Sequence, residues 1–433
     1  MYRKQPSIRV NTVLLQPVSP IGPHSSNMTE VSPASTNPNN AFDSWQSLLI
    51  SLYMTLVGYG VLVGIPVIST AWVTLLGFSE VEVGRVAGAD LGGLSAGAIF
   101  TALIIAKTNR RTLVLVGIAI AVLANGLCTH YVNYDSVLWL RLAAGFGSGI
   151  YTATAVAALG ARTNPAYAYN MMLFAFAFSQ ALELQVLPKL SMNGIYFTFI
   201  GCFLLTLFFM KWIPRGTKIQ TKLKKTTPAT DLENNSDRNT IPIPAYLPWL
   251  CLTAIFVTYI NIGAYWTYIE LAALAGNATP SWISQVLVWA SFCSIIGCAF
   301  ATLLSNRFGL ARPLLVTLIM MSIIVGMLAN GITDQKLLFS VFCFNFLWIF
   351  IDVYQMSTVA NIDRTGKFAA LMPGAQGLGQ IVGPNIAASL LAMNLGYRAV
   401  FIMCACAAIV AMALYAGMYF KLRKTQPELA NAS

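Results

Sequence analysis

Residues 112–131 read TLVLVGIAIAVLANGLCTHY, and Lys107-Thr108-Asn109-Arg110-Arg111 stands just before them. A helix of about 20 residues rises about 30 Å, the thickness of a bilayer's hydrocarbon core. The run holds no Asp, Glu, Lys or Arg, so nothing in it resists the apolar medium. Eleven further stretches read the same way, near 48–70, 84–106, 136–160, 167–188, 194–213, 247–271, 282–305, 313–331, 337–360, 368–393 and 398–420. Twelve such stretches predict an all-α integral membrane protein.

The cluster before residue 112 opens a pattern. Counted by connection, 21 of the 26 Lys and Arg lie on alternate loops that begin with the N-terminus. Arg85, Lys189, Lys336 and Arg398 lie on the other side, and Arg141 lies inside a span. The positive-inside rule then places both termini in the cytoplasm of a cell-membrane protein. An odd number of spans would break the alternation.

Composition agrees. Charged residues make up 9% of the chain and hydrophobic ones 57%, against about 25% charged in soluble domains. The net charge of +11 is spent on topology and anionic headgroups, not on nucleic acid. Residues 1–46, rich in Ser, Pro, Asn and Thr, predict a disordered cytoplasmic tail without a cleaved signal. The eight cysteines lie within the spans and form no CxxC pair. They read as small apolar fillers. No cluster of metal ligands and no nucleophile–base pair is visible, so neither an enzyme nor a metal or cofactor is expected.

The longest connection between spans, 214–246, is polar and aperiodic. It divides the chain into a six-span unit at 47–213 and another at 247–420, with a cytoplasmic tail at 421–433. The units resemble each other. Leu123-Ala124-Asn125-Gly126 matches Leu328-Ala329-Asn330-Gly331, and Gln180 with Pro188 matches Gln376 with Pro384. Gly97 and Phe100 match Gly297 and Phe300. A duplicated six-span unit puts a solute pathway between pseudo-symmetric halves near the bilayer midplane.

Over about residues 46–420 the chain resembles the major facilitator superfamily. Lys107-Thr108-Asn109-Arg110-Arg111 is a remnant of that family's loop signature, and Asn306-Arg307-Phe308-Gly309 with Arg312 is closer to it. Arg141, Gly145 and Gly149 fit the family's fourth span. The Gly-Pro signature that some of its antiporters carry on the fifth span is missing, and Gly377, Gly379, Gly383 and Pro384 form a similar run on the eleventh. The resemblance implies two six-helix bundles, a monomer, and a cavity lined by spans 1, 4, 7 and 10 with help from 2, 5, 8 and 11. Tyr53, Tyr151, Gln180, Asn261, Tyr265, Trp348, Asp352 and Gln376 are the lining residues it implies here.

Charges inside spans cost at least about 2.5–3.5 kcal/mol at a helix centre, so each is a candidate. Asp90, Arg141 and Glu183 lie at similar depths, and Arg141 is expected to pair with one acid or both. The network is either a static ion pair or a proton or solute-charge site. Asp352, in Trp348-Ile349-Phe350-Ile351-Asp352-Val353-Tyr354-Gln355, has no basic residue in its span. A carboxyl there can exchange a proton as its surroundings alternate between wet and dry. Glu270 reads as solvated at the outer end of the seventh span. Gly145, Gly149, Gly379 and Gly383 allow close helix packing or sliding, and Pro384 frees a backbone carbonyl.

No Walker loop is present, so ATP is not the expected energy source. The sequence points to a secondary active transporter of a small organic solute, working by alternating access with protons as the coupling ion. Sodium coupling and facilitated diffusion stay open. A multidrug exporter of lipophilic cations is the alternative. A transport-inactive sensor or partner-binding protein is the reading from another class.

Overall fold

The computed structural model describes residues 41–215, 244, 246–362 and 367–425. Side chains at 165, 166, 305–308, 360, 367, 369, 370, 424 and 425 lie outside that description. The expected N-terminal tail, the linker and the end of the C-terminal tail therefore fall wholly or mostly outside it, as do Arg364 and the side chains of Asn306 and Arg307.

Twelve long helices are described: α1 Trp45–Leu76, α2 Glu80–Ile104, α3 Arg110–Cys128, α4 Tyr134–Gly160, α5 Pro165–Val186, α6 Met192–Phe208, α7 Leu247–Ala275, α8 in two pieces (Pro280–Ser291 and Cys293–Phe308), α9 Ala311–Gly326, α10 Asp334–Ile362, α11 Lys367–Ala392 and α12 Gly396–Thr425. Each coincides with one apolar stretch of the sequence. The differences lie at the ends, where capping rather than apolarity decides. Helix α1 starts early because the Ser44 side chain accepts from Ser47 N, and it stops at Gly77, whose φ is 73°. Helix α2 starts early because Ser79 and Glu82 form a capping box, which satisfies two of the free N–H groups of the first turn.

The halves repeat one packing plan. Helix α2 packs on α4 as α8 packs on α10, and α3 meets α6 as α9 meets α12. Across the boundary α2 lies on α11, α5 lies on α8, and α1 meets α7. These are the contacts that a two-fold axis between the halves exchanges. A methyl group at Gly97 would come within 2.1 Å of Phe146 O, and one at Gly297 within 2.3 Å of Phe346 O. The rings Phe100–Phe146 and Phe300–Phe346 touch beside them, with centroids 5.6 and 5.9 Å apart. Every pair in this comparison is separated by two hundred residues. Gly77 and Asn277 keep the same register, and both turn left-handed, with φ of 73° and 65°.

A bilayer supplies no hydrophobic force between helices, so packing and hydrogen bonds must hold them together. Small residues make this possible. Side chains larger than hydrogen at Gly145 and Gly149 would strike Asp90 O and Leu94 O at 2.0 and 2.1 Å. At Gly379 and Gly383 they would strike Phe256 O and Ile260 O at 2.4 and 2.3 Å. All four contacts lie within a half, α4 on α2 and α11 on α7.

Candidate functional site

Inside the first half, Arg141 Nε donates to Asp90 Oδ2 at 2.7 Å, and its Nη2 donates to the same oxygen. Nη1 donates to Asn125 Oδ1 at 2.7 Å, and the guanidinium lies 5.7 Å from the centroid of the Tyr196 ring. Arg141 and Asp90 are only 2% and 3% exposed. Gly145, one turn beyond Arg141, sets α4 directly on the backbone of Asp90. The pair is therefore satisfied, enclosed and held by a tight crossing. Glu183 takes no part in it. Ser179 Oγ donates to Glu183 Oε1 at 3.2 Å, and Oε2 is buried without a partner against Gly64 of α1.

The second half holds a different acid. Tyr259 OH of α7 donates to Asp352 Oδ1 of α10 at 2.7 Å. Gln376 Nε2 of α11 donates to Tyr259 OH at 2.9 Å. Trp348, one turn before Asp352, flanks the carboxyl with its indole N–H. The Trp348 ring meets Trp266 at 6.0 Å. No basic side chain among the described residues pairs with Asp352. Met356, one turn further along α10, is 58% exposed.

Tyr259 also lies within electrostatic reach of Tyr59 of the first half. Tyr59 marks the bend between Trp45–Gly58 and Gly60–Leu76, and its ring meets Phe176 of α5 at 5.5 Å. Above this level the halves are joined by side chains. Gln180 Nε2 donates to Asn345 Oδ1 at 3.3 Å, and Trp266 Nε1 donates to Val63 O at 3.3 Å. Arg85 donates to Asn385 Oδ1 at 2.8 Å and to Ser389 Oγ at 2.9 Å. Tyr268 OH donates to Glu80 O at 2.8 Å. All of these lie on the side away from the termini, which is therefore the closed side.

Of the eight lining residues implied by the sequence, Gln180, Trp348, Asp352 and Gln376 lie at or near the boundary of the halves. Tyr53, Tyr151 and Tyr265 bond inside their own half. Tyr53 OH donates to Cys202 O at 2.8 Å, tying α1 to α6. Tyr151 is paired with Thr206 Oγ1 at 2.5 Å. Tyr265 is paired with Ser340 Oγ at 2.8 Å and stacks on Phe344. Asn261 is fully buried, and both ends of its amide lack partners. A helical face has two sides near a boundary, and periodicity alone does not say which one turns to the partner half.

Glu270 is half-buried rather than fully solvated: Thr70 of α1 lies within reach of its carboxyl, and Oε2 is covered. The reason is that α7 and α1 close over it on the side away from the termini. Pro384, expected to loosen α11, packs its Cδ toward Gly263, and its carbonyl approaches Gly84 of α2. It sits where the halves touch.

Sequence reasoning missed Tyr59, Tyr259 as a site residue, Asn345 and Arg85. Register would have found the first two, since Tyr59 and Tyr259 are two hundred residues apart like the glycines of the repeat. Arg85 read as an exposed loop charge because its partners lie three hundred residues away. Among the described residues no group of three or more His, Cys, Asp or Glu is placed to hold a metal, and the cysteines are free.

Solved structures share the architecture. A variant of the nucleoside transporter NupG superimposes with a TM-score of 0.68 at 11% identity, over 86% of this chain and 98% of that one. The D-xylose-proton symporter gives a TM-score of 0.66 at 14% identity, over 86% of this chain and 96% of that one. At such identities the likeness is one of fold. Among curated proteins none matches the sequence. The sequence model of the Major Facilitator Superfamily, however, matches residues 47–384. That match runs through both halves and takes in every charged or polar residue of the boundary described above up to Pro384. With its twelve helices, paired halves and central acid, the chain is a multi-pass membrane transporter rather than an enzyme, and it belongs to the Major Facilitator Superfamily.

Proposed function

We propose that the protein carries a small organic solute across the cell membrane in exchange or in company with protons, and that Asp352 is the group where solute and proton are linked. The observation that carries this reading is the Tyr259–Asp352–Gln376 junction, an acid at the meeting of three helices with no basic partner among the described residues. A membrane interior tolerates such a group for function rather than for stability. The rings of Trp348 and Tyr259, with Tyr59 opposite, suit an amphipathic or zwitterionic solute. The units 47–213 and 247–420 rock against each other about this level, joined by the linker 214–246. The charge bias of the loops supports cytoplasmic termini, and on that orientation the joined side of the halves faces outward. The protein acts as a monomer in the bilayer. The Asp90–Arg141 pair, sealed and satisfied, fixes packing.

Export of lipophilic cations is the second reading. It is favoured by the lone carboxylate among aromatic faces, which attract cations. Proton movement in liposomes separates the two readings when screened with organic acids, amino acids and lipophilic cations, alongside Asp352→Asn. A solute-evoked pH change that vanishes in Asp352→Asn supports coupling at this residue, and the active solute class chooses between the readings. Solute counterflow with no pH change in any case removes proton coupling. Silence in both assays returns weight to a sensor that does not transport.

A further inference from the structure

A cavity of about 30 Å³ lies within the second half, between α9, α10 and α12, at the end that carries the termini. Its walls include Leu310, Leu314, Thr358, Asn361, Tyr415 and Leu422. Asn361, at the mouth, is exposed. Tyr415, at the inner end, is 2% exposed, and the Cys251 thiol, a weak hydrogen-bonding group, is the near neighbour of its hydroxyl. That hydroxyl lies within electrostatic reach of Asp352 and Tyr259 and beside the Cys251 thiol. Asp352, Gln355, Thr358 and Ile362 follow one another along one side of α10, at helical spacing. Gln355 Nε2 donates to Thr258 Oγ1 at 2.9 Å, while Gln355 Oε1 is left without a partner.

Two buried polar atoms thus stand without a close partner: Tyr415 OH on the cavity wall, and Gln355 Oε1 about one turn of α10 from Asp352. A buried polar atom left unpaired is costly. A water molecule relieves the cost where there is room and at least two polar partners. One water needs a cavity of about 10–15 Å³ on this measure, so the cavity has room for two. Thr358 Oγ1, which donates to Tyr354 O at 2.7 Å, still has lone pairs to offer.

We propose that this cavity is a water-filled proton path through the second half, from Asn361 at the surface to Asp352, with the Tyr415 hydroxyl as its relay. The path rests on the role given to Asp352 above. It is separate from the space between the halves. A proton can then reach or leave Asp352 while a solute occupies the central opening. The relay needs no net chemistry: Tyr415 accepts a proton from water on one side as it gives its own to the other. The titratable groups around it are Asp352 on α10, Tyr259 and Cys251 on α7, and Tyr415 itself on α12.

Two measurements on the full chain in liposomes test it. Radiolytic hydroxyl labelling reports water beside buried side chains. Met418, 4% exposed on the cavity wall, is expected to be labelled, and Thr358→Leu, which fills the cavity, is expected to lower that labelling. Infrared difference spectra after a pH jump then follow the carboxyl band that Asp352→Asn removes. Tyr415→Phe, which takes away one oxygen and keeps the ring, is expected to slow its protonation by about tenfold or more while leaving its final amplitude intact. An unlabelled Met418, or an Asp352 band that responds at the normal rate in Tyr415→Phe, overturns the path and leaves the role of Asp352 standing. Absence of any Asp352 band in the unmodified protein overturns both.

Discussion

Tyr259 holds Asp352 at 2.7 Å with its own proton, and the same oxygen takes the amide of Gln376 at 2.9 Å. One phenol oxygen thereby joins α7, α10 and α11 at the level where the halves meet. Tyr259→Phe removes both bonds and leaves the volume unchanged. The cost of leaving such partners unmade is about 1–3 kcal/mol. The half-saturating concentration in solute counterflow is expected to rise by about tenfold or more, with folded yield preserved. An unchanged value would take Tyr259 out of the site.

The Asp90–Arg141 pair makes the opposite prediction. Removing one partner of a buried ion pair costs about 3–5 kcal/mol, because the other charge stays behind. Arg141→Met and Asp90→Leu are each expected to lower the unfolding temperature in detergent sharply. The double variant is expected to recover most of the loss. Two harmless single variants would show that the pair does not hold α2 to α4.

The repeat predicts paired sensitivity. Gly97→Val and Gly297→Val both push a side chain into a carbonyl oxygen of the facing helix, an overlap that costs about 1–3 kcal/mol or more. Gly126→Ala and Gly201→Ala meet nothing within 4 Å and should stay within about 0.5 kcal/mol of the parent. Size-exclusion profiles of the four variants decide this directly.

Arg85 binds α11 through three hydrogen bonds. Bonds from a charged donor contribute about 1.5–3 kcal/mol each, so Arg85→Ala is expected to shift the population toward states open on the side away from the termini. Spin labels at Leu75 and Met393, both exposed near that side, should show longer distances in the variant. An unchanged distribution would place the lock elsewhere, with Gln180 and Asn345 as the next pair to test.

The helices were legible because apolar length and loop charge are written locally in the chain. Helix ends were less so, since Ser44, Ser79 and Gly77 set them by capping. Of the site, Asp352 stood out because a lone acid in an apolar span is conspicuous in one dimension. Its partner Tyr259 did not, because six polar or aromatic residues crowd positions 259–268 of α7, and only the three-dimensional neighbour distinguishes one from the rest. Tyr53, Tyr151 and Tyr265 were expected to line the cavity, but each bonds within its own half. Tertiary contact decides which face a helix turns to its partner, and no pattern along the sequence records it.

The two-hundred-residue register also says what a solute would meet on the axis between the halves. Two identical walls would accept it equally well in either of two poses related by a half-turn. Here they are not identical. The position equivalent to Asp352 is Thr152, whose hydroxyl turns back onto Ser148 O at 2.7 Å and offers nothing outward. One wall carries an acid and an amide, and the other carries Tyr59 against Phe176. On the proposed reading, a solute with a polar head and an apolar tail would have one favoured pose, head to the second half and tail to the first, and the divergence of two duplicated halves would be the source of that handedness.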